Sequence, residues 1–111
     1  MLAISPDKIA HIIIRAREIE SGGASERELR QFIGGLNTDE KAELTAVMWI
    51  GRETFSADEI NEAIQTAFEE ATAPTEDYLL GSAMLADHLE DGLAALGMTL
   101  EEAEDGIWSS V

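Results

Sequence analysis

The chain has 111 residues, no cysteine and a formal charge of −16, which suits one domain with a core that needs no covalent staple. The missing cysteines exclude disulfide scaffolds, thiolate zinc sites and cysteine nucleophiles. The charge argues against binding nucleic-acid phosphates or anionic membranes, and a 45% hydrophobic content at helical spacing argues against disorder.

The first predicted helix runs from Pro6 to about Glu20. Ser5 is its expected cap, and Pro6 takes the first helical position, where a missing N–H costs nothing. Ile4 and Ile9 have the spacing of a hydrophobic staple. Ile9, Ile12, Ile13, Ala16 and Ile19 form the inward face. Asp7, His11 and Arg15 fall four apart on another face. That stripe either positions a working histidine between opposite charges or is a solvated face with ion pairs of about a few tenths of a kcal/mol. Ser21, Gly22 and Gly23 end the helix.

A second helix is predicted from Glu26 to Ile33, with Ser25 and Glu28 at capping-box spacing. Leu29, Phe32, Ile33 and Leu36 form its stripe, and Gly34-Gly35 reads as a stop. That glycine pair is not a phosphate loop, because it lacks the lysine and the glycine spacing.

The stretch Thr38–Arg52, T-D-E-K-A-E-L-T-A-V-M-W-I-G-R, is the centre of the chain. Thr38 is the expected cap, followed by Asp39 and Glu40 at the positive end of the helix dipole. Leu44, Val47, Met48, Trp49 and Ile50 cover most of the circumference, as in a helix buried among its neighbours. A buried strand is the alternative for so short an apolar run, but the cap, the acidic turn and the closing Gly51 favour the helix. Gly51 is expected to end it in the left-handed conformation. Arg52 is either an anion-binding residue at a pocket mouth or a partner for the last helix carbonyls and the Trp49 ring.

A third amphipathic helix is predicted from Ala57 to about Ala71, with Ser56 and Glu59 as a capping box and Phe55 stapled onto Ile60. Its inward stripe reads Ile60, Ile64, Ala67, Phe68 and Ala71. Thr72-Ala73-Pro74 breaks it. Tyr78, Leu79 and Leu80 form a short helical turn, and Gly81-Ser82 a kink or a new start. Leu85, Leu89, Leu93 and Leu96 then make one stripe, widened by Met84 and Ala86, which Gly97 stops. Thr99 and Glu102 cap a last short helix from Leu100 to about Asp105. The closing Gly106-Ile107-Trp108 is expected to pack back on the core, because a free tryptophan is costly to expose.

Asp87, His88, Glu90 and Asp91 form the densest ligand-like cluster. On a helix His88 points about 100° away from Asp87. The cluster therefore reads as a solvated acidic face, and no metal site, catalytic residue or cofactor is expected. The sequence shows no zinc-protease helix and no calcium loop.

The strings Leu36–Arg52 and Tyr78–Leu93, with the opening I-S-P-D-K-I-A-H-I-I-I-R-A-R-E, resemble the bacterial family known as domain of unknown function 3775. The resemblance implies a compact, cytoplasmic helical domain. It also implies a glycine where Glu53 stands, a proline near Ala83 and an aromatic residue near His88. It carries over no catalytic residue.

The expected fold is all-α, a bundle of five or six short helices in one domain around two apolar central ones. The expected function is a non-enzymatic interaction or regulatory module with a protein partner or as a homodimer, because apolar excess in a small domain tends to reach an interface. The alternative is a small-ligand site or enzyme pocket, with Trp49, Arg52, Tyr78, His88 and His11 converging in one cleft. An acidic mimic of nucleic acid is a third possibility, and would need carboxylates spaced like phosphates. The N-terminus lacks a basic start followed by an apolar core, and no apolar run reaches the ~20 residues of a membrane span, which predicts a cytoplasmic protein without membrane or nucleic-acid contacts.

Overall fold

The central helix begins one residue earlier than its threonine suggests. In the computed structural model, which describes residues 2–108, α3 spans Thr38–Gly51 and its cap is Asn37. The Asn37 side chain accepts the Glu40 backbone N–H at 2.8 Å, and the Glu40 carboxylate accepts the Asn37 N–H at 3.0 Å. Thr38 cannot make that exchange, because three residues on stands Lys41. Every residue from Ala42 to Ile50 is buried, so α3 runs through the middle of the molecule. Each of its fully buried aliphatic side chains contributes about 1.5–3 kcal/mol.

Among the described residues the fold is all-α, with seven α-helices. The others are α1 (Pro6–Glu20), α2 (Glu26–Gly34), α4 (Ile60–Glu69), α5 (Thr75–Leu80), α6 (Leu85–Ala95) and α7 (Leu100–Ala103). The short α5 and α7 raise the number above the five or six expected. Ala57–Glu59 is a 3₁₀ turn leading into α4, where one continuous helix to Ala71 was expected. The Glu59 carboxylate holds the Ser56 backbone N–H at 2.8 Å there. Ser25 caps α2 through Arg27, not through a box with Glu28. α7 has its capping box, Thr99 with Glu102, as expected.

The two apolar helices are each other's main partners. α3 packs along α6 and α4 and touches α5, while α1 packs on α6, α2 and α7. Gly51 is not left-handed: it is the last helical residue of α3, and its role is close approach. A Cβ on Gly51 would lie 1.6 Å from the His88 carbonyl oxygen of α6. A Cβ on Gly92 of α6 would lie 2.1 Å from the Val47 carbonyl oxygen of α3. Two glycines thus let two backbones touch.

The left-handed residue that ends α3 is Glu53, at φ 68°. The Thr54 N–H reaches the Trp49 carbonyl at 2.9 Å and the Glu53 N–H reaches Ile50 at 3.0 Å, a Schellman closure. Glycine is at ease in that conformation, and a glycine is what the resemblance implies for this position. α6 ends by the same pair of bonds, with Gly97 at φ 93° in the left-handed place.

α4 turns a narrower apolar face inward than its sequence stripe suggests. Ala63 and Ala67 are buried and Ile60 and Ile64 are half-buried, but Phe68 is 41% exposed and Ala71 is exposed. The first and last described segments meet at Ile4. The buried Glu43 carboxylate accepts the Ala3 N–H at 3.0 Å and the Ile4 N–H at 2.8 Å. The Trp108 indole N–H donates to the Ile4 carbonyl at 2.8 Å, so Trp108 packs back as expected, while Ile107 beside it is 75% exposed.

Candidate functional site

Trp49 and Tyr78 are the two predicted site residues that the fold brings together. Trp49 stands near the end of α3 and is only 8% exposed. Its ring stacks on Phe55, centroids 5.8 Å apart and 29° from parallel. Its indole N–H donates to the Tyr78 hydroxyl at 2.9 Å. Tyr78 reaches over from α5 and keeps 40% of its surface exposed. Beside the pair opens a cleft of about 150 Å³, bordered by Thr45 of α3, Ala67 of α4 and the polar Glu70, Thr72 and Thr75. A second hollow of about 250 Å³ shares Thr45, Ala67 and Thr75 with it and extends past Phe68 to Lys41. The two form one groove over α3, between α4 and α5.

Arg52, His88 and His11 do not border that cleft. The Arg52 Nε–H donates to the Thr54 hydroxyl at 3.3 Å, and the side chain is exposed. The ring that stacks on Trp49 is Phe55, and Arg52 turns to Thr54 instead. His88 sits on α6 with its carbonyl against Gly51, and its Nδ1 is buried with no hydrogen-bond partner among the described residues. His11 packs on Phe32, ring centroids 4.6 Å apart, in a separate cleft of about 140 Å³ with Arg15 and Glu28.

The acidic cluster on α6 is tied to α1. Arg17 donates to Asp87 at 2.9 Å and to Glu90 at 2.6 Å. Those two bonds, Asp87 first, hold the guanidinium pKa above its usual value. Among the described residues no three His, Asp or Glu side chains stand together as a metal site.

Three features escaped the sequence reading. Glu43 is a buried carboxylate that organises the N-terminal segment. Glu40 is buried too and pairs with Lys8 at 2.6 Å. The Lys8 hydrogen bond, helped by the Asn37 N–H, holds its carboxyl below the usual glutamate range. The third feature is the distribution of charge. All seven Lys and Arg residues lie at or before Arg52, while fifteen of the 23 acidic residues lie from Glu53 onward. Of those fifteen only Glu76 and Glu90 are not exposed. The basic residues of the first half are largely engaged: Lys8 with Glu40, Arg15 with Glu18, Arg17 with α6, and Arg30 with Glu26 and Asp77.

A family model described as "Protein of unknown function (DUF3775)" matches residues 26–98. The chain belongs to the DUF3775 family. The matched span of this DUF3775 chain runs from the start of α2 to the residue after Gly97, and so contains α3, α6 and the whole groove. No curated protein and no solved structure matches the chain. Among the described residues no helix is long and apolar enough to cross a membrane.

Proposed function

We propose that this chain is a non-enzymatic recognition module whose C-terminal half binds a basic segment of a partner protein in the bacterial cytoplasm. The observation that carries the reading is the fifteen carboxylates from Glu53 onward, a stretch with no Lys or Arg of its own. Among the described residues Asp77, Asp87 and Glu90 pair with arginines of the first half, and the other twelve do not. Such a field steers cationic partners and repels anionic ones. The apolar helices α3 and α6 are spent on each other, which leaves the acidic exterior as what a partner meets. A second copy would bring the same −16 charge, so a different protein is the better fit. The Trp49–Tyr78 cleft supports a second reading, a small-ligand site, because it gathers two of the predicted site residues.

Anisotropy of a labelled peptide of alternating arginine and glycine tests the proposal. Affinity should fall about ten-fold between ~50 and ~150 mM salt, as screening shortens the field. The double reversal Glu62→Lys with Glu69→Lys should weaken binding about ten-fold, and Glu20→Lys with Glu28→Lys less than about two-fold, because only the first pair lies in the base-free half. Equal weakening by both pairs, or no binding at the lower salt, overturns the reading.

A further inference from the structure

We infer that the cleft beside Trp49 and Tyr78 takes an arginine side chain of that basic segment. The inference rests on the recognition-module reading and adds the point at which the segment is anchored.

The cleft walls have the chemistry a guanidinium requires. Of the residues that border it, none is Lys, Arg or His, and the charged one is Glu70. Glu70 is exposed, and no ion pair engages it among the described residues. It is also the C-cap of α4, a helix with no basic residue in its last turn. The negative end of the α4 dipole therefore opens on the cleft, while the basic residue of the groove, Lys41, borders the adjoining hollow. A guanidinium placed there meets both the carboxylate and the dipole.

The aromatic pair supplies the rest. Tyr78 accepts the Trp49 indole N–H, which fixes its hydroxyl and leaves a second lone pair for another donor. An exposed tyrosine ring beside a carboxylate suits a planar cation, which can stack on the ring while its N–H groups reach the oxygens. Cavities of about 150 Å³ take a group the size of benzene, and this cleft has that volume. The continuation past Thr75 toward Phe68, bordered by alanines, Pro74 and threonine hydroxyls with Lys41 at its side, gives the backbone that carries the arginine a way out.

The test uses N-acetyl-arginine-N-methylamide, with its citrulline analogue as an uncharged isostere. The ¹⁵N-labelled chain has two tryptophans, so it gives two indole signals, assigned with a Trp108→Phe variant. The arginine compound should shift the Trp49 signal saturably and leave the Trp108 signal in place. It should bind about ten-fold more tightly than the citrulline compound, and Glu70→Gln should remove most of that difference. Tyr78→Phe, which keeps the ring, should weaken binding less than Glu70→Gln. Equal affinity for the two compounds, joint movement of both indole signals, or no shift overturns the inference. If the arginine–glycine peptide discriminates between the two charge-reversal pairs while the single arginine does not bind, the anchor is wrong and the module reading stands. If the single arginine binds the cleft and the peptide fails to discriminate, the module reading is wrong, and the cleft belongs to a free guanidinium compound.

Discussion

The two faces of α3 are built on opposite terms. Toward α6, Val47 and Gly51 meet Gly92 and His88 so closely that neither glycine has room for a methyl group. Toward α4 and α5, Thr45 and Trp49 border an open cleft with polar groups at its rim. The same helix is thus sealed on one side and hollow on the other. Fold specification lives where no atom can be added. Recognition lives where space and unsatisfied polar atoms remain.

The sharpest way to break the comparison is to put an atom on the sealed face. Gly51→Ala places a Cβ against the backbone of α6, where no rotamer change can relieve the clash. It should cost about 3 kcal/mol or more, at the upper end of overpacking effects. Gly92→Ala, with its Cβ against the Val47 carbonyl, should behave alike. Urea unfolding midpoints measure both. A cost below about 1 kcal/mol would mean that the two helices slide apart easily, and that the sealed face is not what fixes the fold.

The next effect belongs to the start of α3. Glu43→Gln turns one carboxylate oxygen into an amide N–H₂ that faces a backbone N–H, either that of Ala3 or that of Ile4. Leaving a buried donor unpaired costs about 1–3 kcal/mol, and the loss should appear in the same unfolding curves. Hydrogen exchange at Ala3 and Ile4 should quicken with it.

What the sequence revealed divides along the same line. The burial of α3 was legible, since an unbroken apolar circumference has only one comfortable place. The α1 boundaries were legible from Pro6, although the Ser5 side chain makes no cap bond, and the boxes at Ser56 and Thr99 were legible because capping is a local exchange. Asn37 was also readable from Glu40 three residues on, but the cap-forming threonine beside it drew the assignment. Gly51 was misread because a helix stop and a close backbone approach call for the same residue, and only the position of α6 separates them. The α4 stripe failed at Phe68 because the inward face is set by the small residues Ala63 and Ala67 that fit against α3. The Trp49–Tyr78 bond joins residues 29 apart across three helices, and no local pattern encodes it. The base-free second half was present in the letters but hidden within a total charge of −16.

Acid should loosen the start of α3. Glu40 has its pKa lowered by Lys8 and by the Asn37 N–H. Glutamate in the unfolded chain titrates near the usual 4.5, so between that value and the lower folded one the unfolded state binds more protons. The stabilisation from Glu40 is therefore complete above about pH 4.5 and is lost as pH falls through the folded value. The stability difference between the wild type and Glu40→Gln should be greatest near neutral pH and shrink below that point. Denaturant midpoints across pH 3–7 measure it, and a pH-independent difference would mean that Lys8 pairs with Glu40 too weakly to matter.

The smallest effect on stability should come from the open face. Tyr78→Phe removes the acceptor of the Trp49 indole N–H but keeps the ring and its packing. Because the bond lies at the edge of the cleft, water can replace the lost hydroxyl, and the cost should be about 0.5–1 kcal/mol. Tryptophan emission and urea midpoints measure the environment and the cost separately. The emission maximum should move while the midpoint barely does, and affinity for the arginine compound should fall. A loss of more than about 2 kcal/mol would make the Trp49–Tyr78 bond a structural tie like the Gly51–His88 contact, and the two faces of α3 would no longer differ in kind.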